Sequence, residues 1–305
     1  MLFWFILGSA AISVAAVGVL AAIWGIGIER HLRVIRTEKQ ELAVLPQGSQ
    51  PIRILHISDF HLAPWQRRKL NWISKLGKLD VDLVVDTGDN LGHPAAIQPT
   101  LEAMASLGTK PGVYVNGSND YFAPRARNPL SYLKAPSERI SNIRIDTEQL
   151  TAGLDGFGWL NLNNRGGQLT IKGVRLGFLG VDDAHDGLAD YGSVSRSKIA
   201  IAAPDVWIGV SHAPYLAAID AMNEAGVAVM FAGHTHGGQV CVPGLGALVT
   251  NCDLPRKYAK GLSKWVRNGH TMWLNVCAGL GHSIYAPVRF ACRPEVRIVT
   301  LTAKA

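Results

Sequence analysis

The stretch MFAGHTHGGQV, residues 230–240, places two histidines one residue apart in a glycine-rich segment that directly follows an apolar run. The apolar run predicts a buried β-strand, so His234 and His236 would lie just beyond its carboxyl end. Imidazoles in a turn flanked by glycine are candidate metal ligands, because glycine lets the backbone approach a ligand closely. A single histidine is more often an ordinary core residue, so the interpretation depends on what the rest of the chain provides.

The same pattern recurs along the chain. Short apolar runs alternate with helix-compatible stretches, and one helix is expected near residues 214–225; the runs lie at residues 52–58, 81–89, 112–118, 205–214 and 227–237. This alternation predicts βαβ units around a buried sheet, which is an α/β fold. Residues 166–183 instead predict a hairpin that turns at Lys172-Gly173, and residues 271–281 and 295–302 predict further strands.

Side chains of the metal-binding type follow five of these apolar runs: Asp59, Asp89, Asn119, His212 and His234. Because ligands bind outside the carboxyl ends of strands in α/β sheets, we expect these side chains to converge at one edge of the sheet. The pairs Asp59–His61 and His234–His236 have i, i+2 spacing, which points both side chains the same way in an extended segment.

The donor set indicates the kind of metal. Imidazole nitrogen together with carboxylate oxygen suits divalent transition metals such as Mn, Fe, Zn or Ni. There are too many donors for one tetrahedral ion. We therefore expect two ions, roughly 3.5–4 Å apart, that share a bridging carboxylate.

The amino terminus is apolar throughout, since residues 1–28 contain no charged residue and no histidine. Such a run can cross a hydrocarbon core of about 30 Å as a helix. A cleaved signal peptide would instead need a basic start and a shorter apolar core. We therefore predict a transmembrane anchor over residues 1–28, a basic juxtamembrane lead-in over residues 29–50, and one folded domain over residues 51–305.

Charge indicates the orientation and argues against one class of partner. Basic residues follow the anchor, and the positive-inside rule then places the domain on the cytoplasmic side; they are Arg30, Arg33, Arg36 and Lys39. The net charge of +7 and the run Arg67-Arg68-Lys69 fit a solvated basic surface close to anionic lipid. No motif for nucleic-acid binding accompanies this charge, so we do not expect a nucleic-acid partner.

The four cysteines form no C-x-x-C pair, which fits buried thiols in a reducing compartment.

In order, the motifs resemble the series D-x-H, G-D, G-N-H-D, H and G-H-x-H of the calcineurin-like metallophosphoesterases, over residues 51–300. The start SDFHL, the segment GHTHGGQV and the anchor are similar to the bacterial membrane-associated, YkuE-like branch. This resemblance implies a four-layer α/β/β/α sandwich behind one transmembrane helix. It also implies a mechanism in which a metal-bridging hydroxide attacks phosphorus.

By motif position, the resemblance implies a role for each ligand. Asp59, His61 and His236 would hold the first ion, and Asp89 would bridge the two. His212 and His234 would hold the second ion.

One motif departs from the family pattern: Gly117-Ser118-Asn119-Asp120 replaces G-N-H-D. We expect Asn119 to ligate the second metal and to lie at the catalytic centre with Asp89, with Ser118 as the alternative ligand. Asparagine cannot act as a general acid, so another group must protonate the leaving group. His185 and His93 are the candidates for that role, each with an ordinary loop histidine as the alternative, and Asp120 is expected to cap a turn.

The sequence thus predicts a membrane-anchored, dimetal phosphoesterase. Its substrate would contain a phosphodiester, phosphomonoester or pyrophosphate bond, and the anchor favours a lipid-linked substrate. The altered fourth motif leaves an alternative, a catalytically weak metal-binding module that holds a phosphorylated ligand.

Overall fold

The computed structural model describes residues 1–126, 128 and 141–304. Helix α1 spans Leu2–Ala22 and continues as a π-helical segment, Ile23–Ile28, and a 3-10 turn, Glu29–His31. The stretch Ile12–His31 has a mean hydropathy of 2.0 and is only 11% buried, so it is long and apolar enough to cross a membrane. A signal sequence would have the same properties.

The first sheet has the strand order β1-β14-β2-β3-β4-β5. Its strands are β1 Val34–Leu42, β2 Ile52–Ile57, β3 Leu83–Asp86, β4 Gly112–Tyr114, β5 Leu160–Asn161 and β14 Glu295–Ala303. Strands β2 to β5 are parallel to one another, whereas β14 runs antiparallel to β2 and parallel to β1. The carboxyl ends of β2, β3 and β4 therefore meet at one edge.

The second sheet has the strand order β12-β13-β9-β8-β7-β6. Its strands are β6 Gly166–Ile171, β7 Val174–Gly180, β8 Val206–Ser211, β9 Val229–Ala232, β12 Gly261–Arg267 and β13 His270–Val276. The strands β7, β8, β9 and β13 are parallel, and antiparallel hairpin partners close both edges. A separate small hairpin pairs β10 Cys241–Val242 with β11 Gly246–Ala247.

The helices cover the outer faces of the two sheets. They are α2 Arg67–Ile73, α3 Ile97–Met104, α5 Thr147–Gly156, α6 Gly192–Ala200 and α7 Leu216–Glu224, while the short helix α4 Ser118–Tyr121 lies in the loop after β4. Apolar side chains of α2, α3 and α5 pack on the first sheet, and those of α6 and α7 pack on the second. A third apolar cluster, with Ile54, Phe178 and Phe231, lies between the sheets. The result is the α/β/β/α sandwich that the family resemblance implies.

The predicted hairpin is present, with φ of 50° at Lys172 and 81° at Gly173 in its turn. The lead-in predicted over residues 29–50 contains the edge strand β1, which pairs with β14 over its whole length. The first sheet therefore begins before residue 51. The sequence VIRTEKQEL did not signal this strand, because its burial comes from pairing with the last strand of the chain rather than from an apolar pattern.

Candidate metal centre

Loops that follow four strands bring together acidic and histidine side chains. Asp59 and His61 follow β2, and Asp89 follows β3, so these three come from the first sheet. The second sheet supplies His212 after β8, and His234 and His236 after β9. The site therefore lies where the ends of two sheets meet, rather than at the edge of one sheet.

The backbone at these positions is unusual. Five of the six residues have positive φ: Asp59 50°, His61 42°, Asp89 55°, His234 66° and His236 49°. Non-glycine residues rarely adopt this left-handed region, and such strain clusters at functional sites. The i, i+2 pairs therefore do not converge because of an extended backbone, as the sequence argument assumed. Left-handed turns direct them instead.

Two glycines allow the turns to approach each other. A Cβ on Gly233 would lie 1.9 Å from Ser58 Oγ, and a Cβ on Gly117 would lie 2.3 Å from Asp89 Oδ1. Gly237 and Gly238 have φ of 61° and 87°, so they serve as turn residues after the second histidine.

The first group of donors consists of Asp59, His61 and His236, whose ligand atoms all lie within 4.8 Å of one another. The two imidazole Nε2 atoms are 3.1 Å apart. Asp59 Oδ1 lies 3.6 Å from Nε2 of His236 and 3.9 Å from Nε2 of His61. These three atoms surround a position that a single ion could occupy.

The second group consists of Asp59, Asp89 and His212, again within 4.8 Å of one another. Asp89 Oδ2 lies 3.3 Å from His61 Nε2 and 3.6 Å from His212 Nε2. This oxygen therefore lies between a donor of the first group and a donor of the second. Such a position is suited to a bridging carboxylate.

The donor atoms fit a divalent metal. Asp59 Oδ1 and His212 Nε2 are buried without a hydrogen-bond partner, although buried polar atoms are nearly always paired. His212 Nδ1 is 2.7 Å from the carbonyl oxygen of Thr87, to which it donates, so Nε2 is the nitrogen that faces the site, and it can ligate a metal when a bound ion displaces its proton. The two groups form a candidate dinuclear metal site.

The protonation states favour metal binding. Burial lowers the pKa of His61 to about 4, and it holds the pKa of His234 and of His236 well below the usual value. These imidazoles are therefore neutral at pH 7, which is the form that ligates a metal.

The carboxylates surround a position that favours positive charge. Burial alone would raise the pKa of Asp89, but His212, His61 and donors from Asn119 lower it to about 2. Burial raises the pKa of Asp59 to about 6. Burial alone would lower the pKa of His212, but Asp89, Asp59 and Asp183 raise it to about 9. The same field would attract a cation.

His234 lies beside these groups without joining either. Its ring centroid is 5.2 Å from that of His212, and its Nε2 is 3.0 Å from the carbonyl oxygen of Asn251. That contact occupies Nε2, so Nδ1 is the nitrogen left to bind a metal.

The altered fourth motif lies directly against the site. Asn119 donates to Asp89 through both its backbone N–H and its side-chain amide, at 2.7 Å each. Its amide therefore contacts Asp89 Oδ2, the oxygen between the two groups. Asp120 instead accepts four backbone N–H bonds, as expected for a turn cap; the donors are Asp89, Asn90, Leu91 and Gly117.

The two candidate proton donors lie in different places. The ring centroid of His185 is 4.5 Å from that of His234, and its Nδ1 is 3.0 Å from the hydroxyl of Tyr215. His93 caps the turn at residues 94–96 by accepting from the Ala95 N–H, and it packs edge-on against Trp65. His185 is therefore the candidate that lies next to His234, one of the predicted metal ligands.

Two buried cations that contact the backbone of the candidate ligands His61 and His236 were not anticipated. Arg289 is fully buried and donates to the carbonyl oxygens of His236 at 2.8 Å and of Ala278 at 2.7 Å. Lys69 is also buried, and its Nζ donates to the carbonyl oxygen of Phe60 at 2.6 Å, so it does not belong to a solvated basic surface. No sequence signal separates either residue from an ordinary surface cation.

The four cysteines, Cys241, Cys252, Cys277 and Cys292, are free, and all but Cys252 are buried. This agrees with the interpretation of the cysteines as thiols rather than as a disulfide framework.

Comparison with known proteins places this arrangement in a family. The sequence model of the calcineurin-like phosphoesterases matches residues 52–238. The metallophosphoesterase YkuE of Bacillus subtilis is 24% identical over 94% of this chain and 93% of its own length, and the B. subtilis protein YpbG is 26% identical over 95% of both. The crystal structure of a dimetal phosphatase from Danio rerio superposes with a TM-score of 0.41 at 11% identity, covering 83% of this chain and 99% of that one. Because the family model matches well over half of the chain, this protein belongs to the calcineurin-like phosphoesterases and is a metal-dependent phosphoester hydrolase.

Proposed function

We propose that the protein is a membrane-anchored phosphoesterase that cleaves a phosphodiester, phosphomonoester or pyrophosphate bond at a dinuclear metal centre. The observation that carries this proposal is the position of Asp89 Oδ2, which lies 3.3 Å from His61 Nε2 and 3.6 Å from His212 Nε2. A carboxylate oxygen between two sets of donors is what a pair of ions requires.

The first group would hold one ion through Asp59, His61 and His236. The second ion would be held by His212 of the second group together with His234, which lies beside that group, and Asp89 would be shared between the two ions. The mixed nitrogen and oxygen donors favour Mn, Fe, Zn or Ni. When bound, two such ions would activate water as the nucleophile and neutralise charge on the phosphate.

Asn119, which replaces the histidine of the family motif, and His185 would together take over the roles of that motif in metal binding and proton donation. Asn119 holds Asp89 in place through two hydrogen bonds, and rotation of its amide would turn the carbonyl oxygen toward the second ion. His185, which is held by the hydroxyl of Tyr215, would donate the proton to the leaving group.

The position of the N-terminal helix is consistent with a substrate that comes from the membrane. Its final turn packs against the loop that carries Arg289, since the Arg289 N–H donates to the carbonyl oxygen of Gly25 at 3.1 Å. Arg289 in turn donates to the carbonyl oxygen of His236. A single residue, Arg289, therefore links the end of the helix to a proposed metal ligand. We infer a lipid-linked phosphate ester as the substrate and a catalytic domain on the cytoplasmic side.

The test uses the full chain in detergent with added Mn²⁺. Hydrolysis of bis(p-nitrophenyl) phosphate and of p-nitrophenyl phosphate is compared with and without EDTA. We expect turnover that EDTA abolishes and that falls about 100-fold or more in Asp89→Asn, since ion binding contributes several kcal/mol and 1.36 kcal/mol is a factor of ten.

The matched control is His93→Gln, because His93 caps a turn, packs against Trp65 and belongs to neither donor group; it should keep wild-type turnover. Full activity in Asp89→Asn would exclude the dinuclear mechanism. Metal binding without turnover on either ester would favour the alternative of a binding module.

A further inference from the structure

A line of buried polar side chains crosses the otherwise apolar space between the two sheets. It begins on β14, passes through β13 and β2, and ends at the metal-binding Asp59. Its members are Arg297, Asn275, His56, Thr87, Ser58 and Asp59, of which Arg297 is 4% exposed and the others are fully buried.

The contacts along this line are continuous. Arg297 Nε is 3.0 Å from Asn275 Oδ1, and Asn275 Nδ2 is 2.8 Å from His56 Nδ1. On the other side of the imidazole, Nε2 is 3.0 Å from Thr87 Oγ1. The line then runs from Thr87 Oγ1 to Ser58 Oγ at 2.7 Å and from there to Asp59 Oδ2 at 2.5 Å.

Chemistry fixes the direction of every hydrogen bond in the line. Arginine can only donate, so it takes the carbonyl oxygen of Asn275 and leaves the NH₂ to face His56. His56 Nδ1 must then accept, which places its proton on Nε2 and directs it to Thr87. Thr87 donates to Ser58, and Ser58 donates to the carboxylate of Asp59.

The state of His56 agrees with this direction. Burial, together with the nearby charge of Arg297, lowers the pKa of His56 to about 3. The imidazole is therefore neutral and can accept at one nitrogen while it donates at the other.

The line ends on one oxygen of Asp59 only. Oδ2 accepts from Ser58 and also from the backbone N–H of His234 at 3.0 Å. Oδ1 has no partner and faces Nε2 of His236. The hydrogen bonds thus hold the carboxylate so that a single oxygen is presented to the site.

The other end of the line is fixed by charge. Arg297 forms ion pairs with Glu295 at 2.6 Å and with Glu38 of β1 at 2.5 Å. The cation is thereby compensated, and β1, the strand that follows the N-terminal helix, becomes part of the support.

We propose that Asn275 and His56 are positioning residues that direct a one-way series of hydrogen bonds onto Asp59 and so set its orientation as a metal ligand. This inference rests on the proposed metal-dependent function. A buried polar network between two sheets is costly unless every member is paired, and here the pairing leads to a ligand. Partners of this kind fix ligand orientation, and their loss usually costs 10- to 100-fold in metal affinity or activity.

The first test is Asn275→Asp in the full chain. The isosteric carboxylate accepts from both Arg297 and His56, so the proton of His56 moves to Nδ1 and the hydrogen bonds reverse. Thr87 then donates to His56, and Ser58 is released to donate to Thr87 instead of Asp59. We expect Mn²⁺ affinity, measured by calorimetry, to fall about 10-fold.

The matched control is Asn223→Asp, which makes the same change at a buried asparagine on α7. It should retain wild-type Mn²⁺ affinity. Ser58→Ala provides a second variant that removes only the last donor, and it should weaken Mn²⁺ binding at least as much as Asn275→Asp.

A spectroscopic measurement on the metal-free protein separates positioning from a purely structural role. In ¹⁵N-histidine NMR, with His56 assigned through His56→Gln, the wild type should show a neutral imidazole protonated at Nε2. In Asn275→Asp the proton should be at Nδ1. The inference is overturned if His56 carries its proton on Nδ1 in the wild type. It is also overturned if Asn275→Asp and Ser58→Ala both bind Mn²⁺ as tightly as the wild type. A wild type that binds no Mn²⁺ would instead contradict the proposed function.

Discussion

At the scale of single residues, the identity of the candidate ligands could be predicted and their geometry could not. The motifs around Asp59, Asp89, His212 and His234 are short and occur at the ends of apolar runs, so the sequence indicates them directly. The left-handed backbone at Asp59 and His61 has no comparable signal, because these residue types usually have negative φ. Arg289 was missed because its burial depends on contacts with His236, which is distant in the sequence, and with Ala278 across its own loop.

Gly233 tests how tightly these turns approach. A methyl group at this position would overlap Ser58 Oγ and crowd Asp59 Oδ2, at 1.9 Å and 2.5 Å. We expect Gly233→Ala to lower the free energy of unfolding by about 1–3 kcal/mol, as overpacking usually does, and to lower metal occupancy. Denaturant unfolding and metal analysis measure both effects.

The control is Gly156→Ala, where a Cβ would have no neighbour within 4 Å. It should leave metal occupancy unchanged and should not lower the free energy of unfolding, because alanine is favoured over glycine within a helix. If Gly233→Ala behaves like this control, the close approach of the two loops is incorrect.

His185 has a test that depends on the leaving group. In His185→Gln, a phosphodiester with an alkyl leaving group should be hydrolysed about 10²–10⁴-fold more slowly, because general acid catalysis contributes that much. The p-nitrophenyl ester, whose leaving group needs no proton, should be hydrolysed at nearly the wild-type rate. Equal losses on both esters would mean that His185 supports the site without donating a proton.

At the scale of elements, the strands with an apolar pattern were predicted well and the polar edge strand was not. Strands β2, β3, β8 and β9 follow from short apolar runs, whereas β1 has mainly exposed, charged residues. The residues just before β1 were also expected to be a plain lead-in, yet Glu29 is buried. Contacts with residues distant in the sequence explain both observations, because β1 pairs with β14 and Glu29 accepts hydrogen bonds from Ala291 and Cys292.

Glu29 connects the N-terminal helix to the site. Its carboxylate accepts from the backbone N–H groups of Ala291 at 2.9 Å and of Cys292 at 2.7 Å, next to Arg289. Removing the acceptor would leave two amides unpaired, so we expect Glu29→Ala to lower the free energy of unfolding by about 1–3 kcal/mol. We also expect weaker metal binding, because the same loop holds Arg289 against His236.

The control for this prediction is Glu41→Ala, since Glu41 is exposed on β1. Chemical unfolding of the full chain in detergent compares the two variants. Equal stability of Glu29→Ala and Glu41→Ala would show that the helix end does not support the loop.

At the scale of the whole molecule, the sequence predicts that ligands converge but not how the sheets are arranged. Periodicity indicates buried strands, and it cannot tell one sheet from two. Only the family resemblance implied the four-layer sandwich. The structure divides the candidate ligands between the two sheets, so the site depends on how the sheets pack against each other. The polar line from Arg297 to Asp59 crosses that same interface.

Membrane attachment is a prediction at this scale. The full chain should stay in the membrane fraction after a high-salt wash, and a chain lacking residues 2–22 should be released, because that segment is apolar throughout. Release of the full chain by salt alone would contradict an integral anchor.

Orientation requires a separate experiment. A green fluorescent protein fused to the carboxyl terminus should fluoresce, and an alkaline phosphatase fused there should be inactive, since basic residues follow the helix on its carboxyl-terminal side. The reverse result would place the catalytic domain on the opposite face.

The most direct test of the central claim is electron paramagnetic resonance of the full chain loaded with Mn²⁺, with the bound metal counted on the same sample. The account predicts close to two Mn²⁺ per chain and an exchange-coupled signal from the pair, because Asp89 would bridge two ions roughly 3.5–4 Å apart. In Asp89→Asn the coupling should disappear. One isolated Mn²⁺ per chain, or two without coupling, would contradict a dinuclear centre at the junction of the two sheets.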